Sequence, residues 1–379
     1  MTARVVIAPD RWGPVAAPQI ADAMARGWRT RNPSVQVISC PQSNGDAGLI
    51  GSIATARPDA TMGVCEAIGS GGSPVLVPYV QVEDEGSRTA YLPLSSGQAP
   101  GSGGSSYVTG RAIRDLMAAG VDCIVVGLAD SGALDGGAGF ISGLAGAAPP
   151  GSRQHPEAPV VALAKQVVHD HGVDLVGAYD TAIPLLGLTG AAAAAQDGLG
   201  LDPYQAQDAE AWMSRWAHDL QQLLPGRTDL LTGKAHRHDR TPGAGAGGGV
   251  GFALAALGAD LRPAAEVVAE ATGLSDAIRA GDLVVTGTLV FDWHELSDSV
   301  VLQVGSSAQA LARPAVILAG RVDVGRRELM SLGFSGGYGV VQSPRTPLPG
   351  QAAEITSAVE QLAYRVAGTW TPVDSSPHG

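Results

Sequence analysis

Two hydrophobic signatures alternate along the chain. Short apolar-rich runs occur at Val5–Pro9, Val35–Cys40, Val121–Leu128, Leu175–Ala178, Leu283–Thr286 and Pro314–Ala319, and they predict strands, the longer ones buried on both faces. Between them apolar residues recur at helical spacing. Ile20, Met24 and Trp28, with Ala21 and Ala25, form one stripe in Ala17–Arg29, and Trp212, Trp216 and Leu220 form another in Asp208–Leu224. Tyr107–Ala119, Ala264–Arg279 and Gln351–Val366 also read as helices. Strand, helix, strand with short connections predicts the α/β class, a parallel sheet with helices on its faces.

In open parallel sheets ligands bind beyond the carboxyl ends of the strands. Two loops there are candidate site segments, the one opened by Asp10 and the one running Pro41-Gln-Ser-Asn-Gly-Asp-Ala-Gly48. The pattern changes from Gly69 to Ser106, with Pro74–Val80, the acidic Glu83-Asp-Glu85 and a Gly/Ser-rich stretch at 97–106. We expect a domain crossing near Gly69–Ser73 and a mobile loop at 97–106. The acidic trio reads as a solvated edge, because nothing beside it completes an octahedral metal set.

The densest glycine run, Thr241-Pro-Gly-Ala-Gly-Ala-Gly-Gly-Gly-Val-Gly-Phe252, leads into an Ala/Leu-rich helix. Gly243, Gly245 and Gly248 fit the dinucleotide spacing, but the preceding Ala235–Pro242 is no strand, so that fingerprint is set aside. Two readings stand. The run is either a tight-packing turn, or a cradle where backbone N–H groups at a helix start meet an anion. A second such entrance follows Val121–Leu128, with Asp130, Asp135, Gly136 and Gly137; Asp135 either faces a ligand or caps the helix. His236-Arg-His238 reads as an exposed basic turn, since two histidines without Cys or acidic company make a poor metal site.

A chain of 379 residues is long enough for two domains, and 45% hydrophobic with 16% charged residues is a globular composition. The net charge of −12, with no basic block, argues against nucleic acid or an anionic membrane as partner. Lys165 and Lys234 are the only lysines, and Lys234 lacks the Walker A surroundings. Cys40, Cys65 and Cys123 form no C-x-x-C, which suits buried thiols in a reducing compartment. With no secretory leader pattern and no long apolar stretch, a cytoplasmic protein is expected.

Several stretches, in order, resemble the type-1 glycerate kinase family: Val5–Asp10, Ser106-Tyr-Val-Thr-Gly110, Asp135-Gly-Gly-Ala-Gly139, Asp180 with Pro184-Leu-Leu-Gly187, Pro242–Phe252, and Asp282–Gly287 followed by Asp292. The resemblance implies two α/β domains with a cleft between them. One is flavodoxin-like and built from 1–70 and 288–379; the other is an inserted, restructured Rossmann-like domain, 71–287. It also implies ATP, Mg²⁺ and phosphoryl transfer to D-glycerate or a related small hydroxy acid. In that reading Asp135, Asp180 and Asp292 act in acid/base chemistry, Asp180 and Asp292 also hold magnesium, and Asp10, Arg11 and Asp46 face the substrate. Gly136, Gly137, Gly243, Gly245, Gly247 and Gly248 line the nucleotide phosphates.

The chain also departs from the family pattern. Asp10-Arg-Trp-Gly-Pro14 stands where the family has Asp-Ser-Phe-Lys-Gly, so Arg11 is the candidate replacement for the lost lysine. Ser43-Asn-Gly-Asp-Ala-Gly-Leu49 replaces Ala-Asp-Gly-Gly-Glu-Gly-Thr, with Asp46 a partial substitute. Ala129–Leu134 replaces Gly-Gly-Ser-Ala-Thr-Asn, and Ile183 stands in place of an asparagine. Thr288 and Val290 replace the acid and arginine of Thr-Gly-Glu-Gly-Arg-x-Asp. Phosphoryl transfer rests on positioning and charge neutralisation. Two alternatives to a working kinase therefore follow: a pseudoenzyme that binds a metabolite or a partner protein, or an enzyme of another reaction class built on the same cleft; a protein partner or a homo-oligomer is left open in each.

Overall fold

The computed structural model describes residues 3–69, 72–95, 104–129, 132–151, 154–228, 233, 235–343 and 345–371. Asp130, Lys234 and residues 97–103 of the glycine-rich loop lie outside the described residues. Among the described residues eleven strands run in chain order: β1 Arg4–Ile7, β2 Gln36–Ser39, β3 Thr61–Ile68, β4 Pro74–Asp84, β5 Ser87–Pro93, β6 Cys123–Gly127, β7 Asp174–Tyr179, β8 Asp260–Pro263, β9 Leu283–Phe291, β10 Ala315–Val322 and β11 Phe334–Gly339. They build two sheets, and the chain divides into two compact units.

The first unit holds residues 1–44, 51–59 and 265–379. Its five strands, in the order β11-β10-β9-β1-β2, are all parallel. Val5, Val6 and Ile7 are fully buried, as a strand covered on both faces requires. On one side the expected stripe of Ile20, Met24 and Trp28 on Ala17–Arg31 packs into a core with Val359, Leu362 and Val366 of Ala352–Trp370. The two helices approach closely at Gly27, where a Cβ would lie 2.3 Å from the Glu360 carbonyl oxygen.

The second unit holds 45–50 and 60–264. Its sheet, β3-β4-β5-β6-β7-β8, is antiparallel from β3 to β5 and parallel from β5 to β8. Trp212, Trp216 and Leu220 of Pro203–Leu223 are core residues, as their spacing predicts. The acidic trio forms the exposed β4–β5 hairpin.

Three expectations change. The crossing into the second unit, expected near Gly69–Ser73, comes at Ala60, because β3 already pairs with β4 from Thr61 onward. The return to the first unit, expected near 288, comes by Ala265, because β9 already pairs with β1 from Leu283 onward. The single helix expected over Ala264–Arg279 is two, Ala264–Ala271 and Leu274–Ala280, interrupted where Gly273 takes a left-handed φ of 66°. Among the described residues no helix is long and apolar enough to cross a membrane.

Candidate functional site

In the second unit the glycine run is largely buried. Gly247, Gly248 and Gly249 are successively left-handed, with φ of 63°, 64° and 96°, before the chain settles into the helix that ends at Leu257. Each turn brings backbone onto backbone. A Cβ on Gly248 would sit 1.8 Å from the Ala133 carbonyl oxygen, and one on Gly245 would sit 2.2 Å from that of Pro184. Gly243, with φ of 81°, lies against the Tyr179 ring. The run is therefore a clasp packed against the loop after β6 and the loop after β7, and this packing alone demands glycine.

That clasp uses amides expected to face a phosphate. Gly245 donates to the Ile183 carbonyl at 2.9 Å, and Gly136 donates to the Gly248 carbonyl at 3.0 Å. Gly137 donates to Asp135 Oδ1 at 3.1 Å. These three N–H groups are engaged inside the protein.

Asp135 belongs to the same construction. Its carboxylate accepts from the Ser106 amide at 2.9 Å, from Ser106 Oγ at 2.8 Å and from Ser105 Oγ at 3.1 Å, besides Gly137. Ser106 Oγ in turn accepts from the Phe140 amide at 2.8 Å, inside the first turn of Ala138–Ala145. The negative charge that a helix N-terminus favours is thus supplied by the chain itself. Asp135 is not itself the cap: the N-cap is Gly137, with no side-chain cap hydrogen bond, and the Asp135 carboxylate instead ties Ser105, Ser106 and the Gly137 amide together at this helix entrance.

Asp46 and Asp180 stand elsewhere in this unit. Gly45 packs on Gly127 and on the Ala178 carbonyl, so its loop lies across the carboxyl ends of β6 and β7. Asp46 is 2% exposed, and its Oδ1 accepts from the Gly48 amide at 2.8 Å. Asp180 follows β7 directly and is half-buried. Arg262, opposite Ala178 in the β7–β8 register, brings a half-buried cation to the same strand ends. The sequence reading missed Arg262 because β8 is only 4 residues long.

In the first unit Asp10 follows β1, and its amide donates to the Gly287 carbonyl at 2.9 Å, which sets it beside Thr288 on β9. Thr286 Oγ1 donates to the Ala8 carbonyl at 2.8 Å, tying the same two strand ends together. Arg11 is exposed, and its guanidinium curls back to the Gly13 carbonyl through Nε at 3.1 Å and Nη2 at 3.0 Å. Gln42 is 1% exposed; its Nε2 donates to the Cys40 carbonyl and to Thr272 Oγ1, both at 2.9 Å. The Gln42 Oε1 and Asn44 Oδ1 atoms are buried and have no hydrogen-bond partner among the described residues.

Asp292 closes β9, and Glu295 follows one turn later in Trp293–Leu296. Burial, with the Asp292 charge next, pushes the Glu295 carboxyl up to about 7, against a Ser299 hydrogen bond that acts the other way. The spacing Asp-Trp-His-Glu carried this pair in the sequence, where only Asp292 drew notice. Among the described residues no three His, Cys, Asp or Glu are grouped to hold a metal. His236 and Arg237 are exposed and His238 half-buried, as expected for a turn. Burial, with His236 second, keeps His238 below the usual histidine range.

Comparison with known proteins places these features. The glycerate kinase family profile matches residues 5–371. An uncharacterized protein of Mycobacterium bovis is 30% identical over 97% of this chain and 92% of its own length. A glycerate kinase of Bacillus cereus is 25% identical over 97% of this chain and 98% of its own. Among solved structures, the putative glycerate kinase 2 of Salmonella typhimurium superposes with a TM-score of 0.70 at 24% identity, over 97% of this chain and 98% of that one, and so shares the fold. The chain belongs to the glycerate kinase family.

Proposed function

We propose that this protein is an ATP-dependent phosphotransferase acting on D-glycerate or a closely related small hydroxy acid. The observation that carries the reading is that Asp10 and Asp292 follow β1 and β9, neighbouring parallel strands, in a chain that matches the family from residue 5 to 371. Asp292 serves as the magnesium ligand or base of the first unit, and Asp180 serves in the second. Asp10, Arg11 and Asp46 contact the acceptor, and Gly243, Gly247 and Gly248 border the nucleotide. Asp135, Gly136, Gly137 and Gly245 hold the loops in shape.

The donor set suits magnesium bound in the common way, through one or two carboxylates with substrate phosphates completing the octahedron. An all-protein cage is absent among the described residues. When bound, the ion would neutralise charge on the transferring phosphoryl group. The orphaned Gln42 Oε1 and Asn44 Oδ1 also support a hydroxylated acceptor. A buried acceptor left unpaired costs roughly 1–3 kcal/mol, and a ligand hydroxyl would remove that cost.

Thr288 and Val290, neutral where the family pattern is charged, favour a second reading, in which the protein binds these ligands without transfer. Thermal shift measurements test the binding common to both. Mg²⁺·ATP at a hundredfold over its Kd should stabilise the protein by about 2.7 kcal/mol. The absence of any nucleotide shift would remove the phosphotransferase reading.

A further inference from the structure

Of the chain's six tryptophans, Trp293 alone is exposed. It is 71% exposed, whereas Trp12, Trp28, Trp212 and Trp216 are at most 6% exposed. Trp370 is half-buried, its Nε1 donating to Tyr338 Oη at 2.8 Å. The backbone that carries Trp293 is fixed on both sides. Before it, the Asp323 amide donates to the Phe291 carbonyl at 2.8 Å and pins the end of β9 to that of β10. After it, the Glu295 amide donates back to the Asp292 carbonyl at 3.2 Å. Ser299, which caps Val300–Ala310, donates its hydroxyl to the Glu295 carbonyl at 2.7 Å. Trp293–Leu296 is a 3₁₀ turn, in which positions three apart eclipse. Leu296, 39% exposed, therefore shares a face with Trp293, and the two make a small apolar shelf next in sequence to Asp292.

We infer that this shelf carries the base of the nucleotide, an inference that rests on the phosphotransferase reading above. Size and neighbourhood choose the occupant. The two side chains expose on the order of 250 Å² together, far short of the about 800 Å² per partner that a stable protein interface takes. A single flat ring covers such a shelf. Of the two substrates in that reading only the nucleotide has a π-face, since a small hydroxy acid is polar throughout. The indole also follows directly on Asp292, the magnesium ligand or base of that reading, with consecutive Cα atoms about 3.8 Å apart. A ligand whose phosphates meet a metal at Asp292 thus brings its base within reach of Trp293. Stacking there supplies affinity that the phosphates alone do not. Trp293 is in this account a binding residue for the nucleotide, distinct in role from Asp292, which acts on the phosphate end.

Calorimetric titration of the full chain tests this, with Mg²⁺·ATP and with Mg²⁺·tripolyphosphate, which has the phosphates and no base. Trp293→Ala should weaken Mg²⁺·ATP about 5- to 150-fold, the worth of one base–aromatic stack, and leave Mg²⁺·tripolyphosphate unchanged. Trp293→Phe, which keeps a ring, should recover most of the ATP affinity. If Trp293→Ala leaves ATP affinity unmoved, or weakens both ligands equally, the inference is overturned while the phosphotransferase reading stands. A wild type that does not bind Mg²⁺·ATP overturns both. Should Trp293→Ala fail to fold, acrylamide quenching of wild-type tryptophan emission decides. Mg²⁺·ATP should shield the exposed indole and Mg²⁺·tripolyphosphate should not, and equal quenching with either ligand overturns the inference.

Discussion

The amide of Gly136 donates to the carbonyl of Gly248 at 3.0 Å, locking the loop after β6 to the glycine run before the helix that ends at Leu257. Two glycine-rich segments that each invite a phosphate on sequence grounds are thus bound first to each other. The bare backbone of Gly248 is what lets the Ala133 carbonyl come so close. Gly248→Ala should therefore destabilise the protein by roughly 2–5 kcal/mol, from left-handed strain plus a backbone clash. Gly198→Ala, in helix Ala191–Gly198 with open space around it, should be neutral or stabilising by up to about 1 kcal/mol. Urea unfolding of both variants checks the contrast.

Asp135 anchors the same clasp. Asp135→Ala strands the Ser106 and Gly137 amides and should cost about 2–4 kcal/mol, whereas Asp135→Asn, which keeps an acceptor oxygen, should lose less. If Asp135 instead acted on the substrate, Asp135→Asn would abolish turnover while leaving the melting temperature unchanged. Parallel melts and kinetics separate the two.

Glu295 predicts a pH dependence. Its carboxyl titrates near 7 in the folded chain and near the model-peptide value of 4.5 when unfolded. The folded state therefore holds the extra proton between those values, and stability should fall as pH rises from 4.5 towards 7. The loss is complete above 7 and is on the order of 3 kcal/mol. Glu295→Gln should match the wild type near pH 4.5 and exceed it in stability at pH 8, as measured by chemical denaturation across that range.

The cysteines should be inert in the native state. Burial pushes the Cys40 and Cys65 thiols up to about 11, and Cys123 is shifted the same way for the same reason. Thiol titration at neutral pH should be slow without denaturant and complete for three groups once the chain is unfolded.

Much of the first sheet was legible, because strands buried on both faces leave continuous apolar runs, and the stripe on Ala17–Arg31 is cleanly periodic. β3 escaped because it exposes apolar side chains on one face, and β8 because four residues set no period. The break at Gly273 was hidden by helix-favouring residues on both sides. Of the candidate acids, Asp10 and Asp180 stand out in the sequence by their places after strands, whereas Asp292 is marked only by the resemblance to the family motif, because the expected strand stops at Thr286 and β9 runs on to Phe291. What was hidden is what pairs at long range. Asp135 is claimed by Ser105 and Ser106, and the glycine run by Ala133 and Gly136, contacts that no local spacing announces.

The most direct test of the central claim is transfer of labelled γ-phosphate from ATP to D-glycerate with Mg²⁺ present. The account predicts labelled phosphoglycerate from the wild type, with turnover reduced at least about a hundredfold in Asp292→Asn at unchanged melting temperature. No labelled product from the wild type, or undiminished turnover in Asp292→Asn, would contradict it.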